Sequence, residues 1–401
     1  MGTGRKAVKK GLTVLLLLLL MLPSAGCWDS MEIEDLAVIS LLGFDWVQEN
    51  GRDQWLVTGR ISDPGASEGG GGKGNSSKGT PGERVIQGYG DTILEAMDHM
   101  TLHTSRTPFW GGVQATILGE RAAQEKLKEF VDVKMRYREA RPRTYVMVTP
   151  GLARDVLQAE PLLDQALARE IERMAEHRTH ESGSSCRVTS ADFVAALLSP
   201  DRDAVATQIR LVNPGDKAKG SKTPGVVLEG MGFFRGDRLA GWLTREETLG
   251  YIFLTHRLAQ GEINLPVERD GRGLTVRLLR SQPEITETCA GGQISYQVTI
   301  KAQGVLYEGG GLDLTEAEMD RITQAAEQVI EESAGKAVAK AQENGADFLG
   351  LSQDLHRWHP VVWQEIRPFW REKFQQAAVE VRAKLEILHS GRTGQKLEIN
   401  K

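Results

Sequence analysis

The order of strands and helices is clearest in residues 230–254, which read GMGFFRGDRLAGWLTREETLGYIFL. Apolar residues lead into a Gly-Asp turn and continue after it, as in a β-hairpin. Thr244 then precedes a segment with two glutamates in its first turn, which predicts an N-capped helix. The stretch therefore predicts strand, turn, strand and helix. Its large aromatic side chains, Trp242, Tyr251 and Phe253, are predicted to pack mainly in a core.

Strand and helix patterns alternate along the rest of the chain. Strands are predicted at residues 54–61, 113–118, 144–148, 205–211, 226–228, 231–234, 239–242, 273–281, 294–302 and 379–387. Helices are predicted at residues 91–104, 120–137, 152–157, 161–177, 190–198 and 315–344, with Asp91 and Ser190 as two of the N-caps. The alternation predicts the α+β fold class, with two or three mixed α/β domains whose largely antiparallel sheets are flanked by helices.

Composition divides the chain into segments. Residues 64–82 are rich in Gly and Ser and have little to bury, so they are predicted to be a flexible loop within the first domain. Residues 213–224 hold two Pro, two Gly and three Lys and are predicted to be a linker. The predicted order is an N-terminal mixed α/β domain over 27–212, this linker, a C-terminal α+β domain over 225–392 and a tail over 393–401.

The first 26 residues have the composition of a signal peptide. Four basic residues and no acidic residue precede an apolar run over 12–22, which is shorter than the ~20 residues that a membrane-spanning helix needs. The run leads to Ser24-Ala25-Gly26-Cys27, which resembles the site where bacterial enzymes attach diacylglycerol to a cysteine and cleave before it. We predict a lipoprotein signal peptide over 1–26 and lipidation of Cys27. The alternative is an ordinary secretory cleavage site with Cys27 as an incidental thiol.

Charge and cysteine content narrow the class of protein further. The chain has 49 Lys+Arg against 54 Asp+Glu, a net charge of −5, and no long basic run after the first ten residues. A nucleic-acid binder would need a concentrated basic surface, so no nucleic-acid partner is predicted. Cys186 and Cys289 lie in different halves of the chain. Two separate thiols are favoured over a disulfide between them, although an oxidising compartment would allow one.

The residue patterns that could indicate catalysis or metal binding are all incomplete in this sequence. Histidines stand three apart at His177 and His180 and at His356 and His359, but neither pair has a nearby Cys or a His-Glu-x-x-His frame. The adjacent glutamate pairs at 246–247 and 331–332 point in different directions on a helix and are predicted to be solvated surface. Residues 350–354 miss the last Gly of the G-x-S-x-G motif. No enzyme activity, metal or cofactor is predicted.

Aromatic side chains are concentrated near the end of the chain. Residues 346–363 include Trp358 and Trp363, and Phe369-Trp370 follows closely. Core packing is the default interpretation. The sharper hypothesis is an aromatic surface for a membrane partner, with Trp242, Trp363 and Trp370 as the candidate docking residues.

Several blocks resemble one known family. They are Gly26-Cys27-Trp28-Asp29, residues 32–38, Gly43-Phe44-Asp45, residues 233–254, Asp347-Phe348-Leu349-Gly350 with Ala341-Gln342 before it, Trp363, Trp370 and the closing alternating strand. In this order they are similar to the Ger(x)C spore germination lipoproteins, over nearly the whole chain after Gly26. The Gly-rich 64–82 segment looks like an insertion relative to that family.

The resemblance implies the C subunit of a nutrient germinant receptor. Such a subunit would be lipid-anchored on the outer face of the cytoplasmic membrane, the spore inner membrane, beside a polytopic A subunit and a transporter-like B subunit. It would serve receptor assembly or signalling without catalysis. The alternative is an extracytoplasmic solute-binding lipoprotein of a permease, which should have two similar doubly wound lobes; the antiparallel pattern of the second half disfavours it.

Overall fold

The structure is a computed structural model, and it describes residues 35–62, 83–137, 141–178, 183–213, 224–255, 263–269, 272–290, 293–308 and 315–388. The predicted signal peptide, Cys27, the 64–82 loop, the 393–401 tail and most of the predicted linker lie outside these residues. None of the helices among the described residues is long and apolar enough to cross a membrane.

The larger of two sheets contains nine strands of the described chain. Their bounds are Leu36–Glu49 (β1), Arg52–Ser62 (β2), Glu83–Gly90 (β3), Thr107–Phe109 (β4), Ala115–Gly119 (β5), Tyr145–Thr149 (β6), Val205–Val212 (β7), Gly225–Arg235 (β8) and Arg238–Leu243 (β9). The order is β3-β2-β1-β5-β6-β7-β8-β9, with β4 beside β1. The central strands β1, β5, β6 and β7 pair in parallel, and the outer ones pair antiparallel.

The smaller sheet contains four strands of the described chain. They are Ile263–Arg269 (β10), Arg272–Ala290 (β11), Gln293–Glu308 (β12) and Ala378–Ile387 (β13), in the order β10-β11-β12-β13. β10, β11 and β12 are antiparallel neighbours, whereas β13 runs parallel to β12. A parallel neighbour needs a long crossover, and the crossover from β12 to β13 contains the C-terminal helices.

Helices cover both sheets. They are Ile93–Thr101 (α1), Glu120–Glu125 (α2), Leu127–Arg136 (α3), Ala153–Leu157 (α4), Leu167–Arg173 (α5), Ser190–Leu198 (α6), Arg245–Leu254 (α7), Glu316–Asn344 (α8), Leu351–Trp358 (α9), Pro360–Ile366 (α10) and Trp370–Gln376 (α11). A 3-10 turn, Arg367–Phe369, joins α10 to α11. Apolar side chains of α7, α8, α11 and both sheets join one hydrophobic core, so the sheets are packed together rather than separate.

The predicted α+β fold class is confirmed. Thr244 caps α7, as the sequence predicts, and Thr315 caps α8 in the same way, because each hydroxyl accepts the N–H three residues on. Two predicted caps are wrong by one residue: Thr92 rather than Asp91 caps α1, and Thr189 rather than Ser190 caps α6. In both places a threonine hydroxyl is the group that reaches the N–H.

Two tight turns explain how the strands reverse direction. Asn50 and Gly51 join β1 to β2 with φ of 51° and 77°, the left-handed conformations that an Asn-Gly hairpin needs. The predicted Gly-Asp turn is also present, since Gly236 has φ of 60° between the paired Arg235 and Arg238.

The larger sheet continues across the predicted 213–224 linker. Val212 at the end of β7 is paired with Gly225 at the start of β8. β8 and β9, placed by the sequence in the second domain, therefore extend the sheet of the first. The division of the chain into two domains stays a prediction. The pairing of β7 with β8 shows that the residues on either side of the predicted linker share one sheet.

Candidate docking site at the C-terminal helices

The three tryptophans predicted to dock a partner lie in different environments. Trp363 and Trp370 are 2% and 7% exposed and pack edge to face, with ring centroids 5.5 Å apart. Direct contact of a partner with these two side chains does not fit their burial, because they are part of the hydrophobic core. Trp242 is half-buried and donates from Nε1 to Glu120 Oε1 at 3.3 Å, and its docking role stays a prediction.

Other apolar side chains of the same helices are exposed. Trp358 at the end of α9, Val361 in α10 and Phe369 before α11 are 66%, 71% and 59% exposed. We call these three residues, two of them aromatic and one aliphatic, the aromatic surface. Exposed large apolar groups concentrated in one segment are typical of a protein contact, whereas single ones are common everywhere. The docking role of Trp242, Trp363 and Trp370 stays a prediction. The exposed apolar side chains of this segment are different ones, because residue type does not tell which side chains of short helices face the core.

Asp347 organises the start of this helical segment. Its Oδ1 accepts N–H groups from Gly350 and Leu351 at 2.9 and 3.0 Å, and its Oδ2 accepts from Ser352 N, Ser352 Oγ and Trp370 Nε1 at 2.9, 2.8 and 3.2 Å. The carboxyl is only 3% exposed, and burial raises its pKa while the bonds from Ser352 and Leu351 oppose that rise. One carboxylate thus holds the N-terminus of α9 and the buried Trp370.

Asp203 links the larger sheet to these helices. Its carboxylate accepts both guanidinium nitrogens of Arg371 at 3.1 Å and the N–H groups of Asp347 and Gly236 at 2.9 and 2.8 Å. Arg371 also donates to the Gly345 carbonyl at 2.7 Å. A bidentate Arg–carboxylate pair fixes orientation as well as distance. The loop before β7, the β8–β9 turn and α11 are therefore held as one junction.

Asp201 adds a second link between the same loop and α9. Its Oδ2 lies 2.8 Å from His356 Nδ1, and its backbone carbonyl is a second acceptor beside the Ser352 hydroxyl, whose single proton it shares with Asp347 Oδ2. Burial alone would raise the pKa of Asp201, but hydrogen bonds from His356, Ser199 and Gln353 outweigh it and hold that pKa below its usual value. His356 is thereby used as a structural partner of a carboxylate.

The remaining candidate residues do not converge. His359 Nε2 faces Glu287 at 3.3 Å, so His356 and His359 contact carboxylates on different elements. The side chains of His177 and His180 lie outside the described residues. Among the residues that the structure describes, no group of three His, Cys, Asp or Glu side chains could hold a metal. Both described cysteines have free thiols, with Cys186 buried and Cys289 exposed.

The glutamate pairs serve the fold. Glu246 and Glu247 pair with lysines of α8, and Glu247 also closes the capping box with Thr244. Glu331 accepts the N–H of Ala383, and Glu327, one turn before it in α8, accepts that of Leu385. These bonds satisfy N–H groups on the outer side of β13, so α8 shields an edge strand that would otherwise invite pairing.

Asp45, in the Gly43-Phe44-Asp45 block, is a second buried carboxyl with a structural role. It is 1% exposed, and its two oxygens accept the N–H groups of Ala153 and Arg154 at 2.7 and 2.9 Å, at the start of α4. Burial raises its pKa to about 6, because desolvation of the charge outweighs these two hydrogen bonds. The side chain joins the central strand β1 to α4.

The raised pKa of Asp45 predicts a pH dependence of stability. Between about pH 4 and pH 6 the folded state holds a proton that the unfolded state has released, so this group's stabilisation is lost as pH rises through 6. The change from 3.8 to about 6 is worth roughly 3 kcal/mol at ~1.4 kcal/mol per pH unit. In urea unfolding of the full chain in detergent from pH 4.5 to 7, wild type should lose stability relative to Asp45→Asn. Parallel pH profiles would contradict this prediction.

The fold and this junction define a class of protein. Two packed sheets carry a helical segment with exposed apolar side chains, and the buried carboxylates around it are bonded to backbone N–H groups, arginine and tryptophan. These features define a mixed α+β protein whose C-terminal helices, with their exposed apolar side chains, are fixed to the larger sheet by hydrogen bonds and an ion pair.

The family follows from comparison with known proteins. A model described as the spore germination protein N-terminal domain matches residues 29–211, and one described as spore germination B3/GerAC like, C-terminal, matches residues 229–391. This chain belongs to the Ger(x)C family of spore germination proteins, the germinant receptor C subunits. That family is not a known enzyme family.

Relatives and a solved structure agree over most of the chain. Spore germination protein KC of Bacillus subtilis (strain 168) is 22% identical over 96% of this chain and 97% of the relative. Spore germination protein B3 of the same organism is 22% identical over 94% of this chain and 96% of the relative. The crystal structure of the GerBC protein superposes with a TM-score of 0.52 at 16% identity, covering 86% of this chain and 97% of that one, which supports the shared fold.

Proposed function

We propose that this protein is the lipid-anchored, non-catalytic C subunit of a nutrient germinant receptor, needed for assembly or signalling in spore germination. It is held on the outer face of the cytoplasmic membrane, the spore inner membrane, through Cys27. Its partners are the polytopic A and B subunits of the receptor. What supports a role in assembly is the group of exposed apolar side chains on the C-terminal helices, Trp358, Val361 and Phe369. The carboxylates of Asp45, Asp203 and Asp347 are each bonded to groups that hold the fold together.

The partner subunits dock on the aromatic surface in this proposal. Trp358, Val361 and Phe369 are exposed, while Trp363 and Trp370 lie buried in the same helical segment and keep it rigid. A rigid platform loses little side-chain entropy on binding, and exposed tryptophan is among the residues that contribute most to protein interfaces.

Isolation of the protein with its partners tests the assignment. A C-terminal tag on the full chain is used to recover it from spore inner membranes solubilised in mild detergent. We expect two polytopic subunits to accompany it. Recovery of the protein alone with a bound small solute would overturn the proposal and favour the solute-binding alternative.

The aromatic surface is tested by the same isolation. Trp358→Ala combined with Phe369→Ala should reduce recovery of the polytopic subunits at least about tenfold, since truncation of central aromatic contacts typically costs ~2 kcal/mol or more. Leu102→Ala is the matched control, because Leu102 is 79% exposed on a different helix end and its loss should change recovery little. Equal recovery with both variants would place the contact elsewhere.

Lipidation is tested separately. Cys27→Ala should abolish incorporation of labelled fatty acid and move the protein toward the soluble fraction in cells that lack the partner subunits, because stable anchoring needs the acyl chains. Cys289→Ala is the control, since Cys289 is the exposed cysteine of the described chain and its loss should leave the label unchanged. Undiminished label in Cys27→Ala would refute the anchor.

A further inference from the structure

A cavity of about 230 Å³ lies at the junction between the larger sheet and the C-terminal helices. Its walls come from the end of α6, the loop before β7, the β8–β9 turn and the segment from Arg367 to Arg371. For comparison, an apolar cavity of ~150 Å³ in another protein accommodates benzene. The space is therefore sufficient for a small organic molecule or a hydrated inorganic ion.

Three arginines line this cavity, and two of them have no anionic partner. Arg371 is paired with Asp203, which also lines the cavity. Within the part of the chain that the structure describes, Arg202 and Arg367 form no ion pair and no side-chain hydrogen bond. The Nε of Arg202 is buried without a hydrogen-bond partner. Arg202 as a whole is only partly buried, and its other two guanidinium nitrogens are not among the buried unpaired atoms, so they are the donors that a ligand in the cavity can reach. A charge-assisted hydrogen bond to these donors would favour binding of an anion.

The carboxylates at the cavity are already occupied. Both oxygens of Asp203 accept bonds from Arg371 and from backbone N–H groups. Both oxygens of Asp347 accept bonds from the start of α9 and from Trp370. Among the described residues neither carboxyl forms an ion pair with Arg202 or Arg367, and with Asp203 neutralised by Arg371 the remaining lining holds two cations and one carboxyl. Positive charge is therefore in excess in the cavity.

We propose that this cavity binds a small oxyanion, a carboxylate of a small organic acid or inorganic phosphate, between Arg202 and Arg367. The planar guanidinium fork matches the paired oxygens of either group. Because Arg202 belongs to the loop before β7 and Arg367 to the turn before α11, the bound anion joins the larger sheet to the C-terminal helices. This inference does not depend on the partner subunits of the proposed receptor.

Calorimetric titration of the full chain in detergent tests the proposal. Inorganic phosphate and malonate are titrated separately against sodium chloride of equal ionic strength. Saturable binding of one or both probes is expected, and the probe that binds identifies the shape of the anion. Heat no greater than that of sodium chloride for both probes would overturn the proposal.

Three variants locate the binding. Arg202→Gln and Arg367→Gln should each weaken binding about tenfold or more, as expected for loss of a charge-assisted hydrogen bond. Arg245→Gln removes one exposed cation at the start of α7, away from the cavity lining, and should change the affinity less than twofold. Because Arg367 is exposed, its variant should fold even if Arg202→Gln does not. Equal weakening by Arg245→Gln would show non-specific attraction and overturn the site.

Discussion

Replacement of Gly250 by alanine is expected to destabilise the protein by more than about 3 kcal/mol. Gly250 lies in α7 where this helix crosses α8, and a Cβ there would be 1.9 Å from the carbonyl oxygen of Ser333 and 2.5 Å from its carbonyl carbon. Both atoms belong to the backbone of a 29-residue helix and cannot rotate away. The helices would have to separate, and the buried side chains of both would lose contacts, which is the mechanism behind the larger costs of overpacking.

The chain contains its own control for this substitution. Gly335 is an exposed glycine two residues after Ser333 in α8, and a Cβ there would meet nothing within 4 Å. Gly335→Ala should stabilise the protein by roughly 0.5–1 kcal/mol, because alanine is the better helix former. Urea unfolding of the full chain in detergent, followed by circular dichroism, measures both. Unfolding midpoints for Gly250→Ala equal to wild type would refute the close helix crossing.

Local patterns in the sequence predicted much of the fold. The hairpin and capped helix of residues 230–254 are confirmed, since a Gly-Asp turn and a threonine cap act within a few residues. β1 was not predicted because it is buried on both faces, so its mostly apolar side chains show no alternation with polar ones. The predicted helix over 120–137 is two helices that meet at Lys126, where the backbone leaves helical geometry.

The junction could not be predicted in the same way. Asp203 contacts Asp347 and Arg371 across 144 and 168 residues, and no short-range pattern marks such pairs. The aromatic content of residues 346–363 marks this segment in the sequence, but nothing in it indicates that Asp347 contacts the loop before β7. The burial of Trp363 and Trp370 likewise depends on how three short helices pack, which periodicity does not resolve at seven or eight residues per helix.

Asp347→Ala is expected to cause a loss of stability of about 4 kcal/mol or more. Alanine leaves the N–H groups of Gly350, Leu351 and Ser352 and the indole N–H of Trp370 without their acceptor in a buried place. Each unsatisfied donor costs about 1–3 kcal/mol, although such costs do not simply add. Removing one partner of a buried interaction lowers the free energy of unfolding by more than the whole interaction contributes to stability, because the remaining partner stays buried without a counterpart.

Asp347→Asn separates the loss of acceptors from the loss of volume. Asparagine keeps the shape and one acceptor oxygen, but its amide group must face donors on the other side, so a cost between wild type and Asp347→Ala is expected. Asp320→Ala, on the exposed face of α8, removes a carboxylate without known partners among the described residues and should change stability by less than about 0.5 kcal/mol.

Two readouts distinguish a local from a global effect of the Asp347 variants. Urea unfolding reports total stability, and near-ultraviolet circular dichroism reports the packing of Trp370 against Trp363 and Phe374. Because Asp347 holds both the start of α9 and the Trp370 indole, we expect the tryptophan signal to weaken even in conditions where the chain remains folded. If both Asp347 variants unfold at the wild-type midpoint with an unchanged tryptophan signal, the helices are held by apolar packing alone, and the aromatic surface owes its rigidity to Trp363 rather than to this carboxylate.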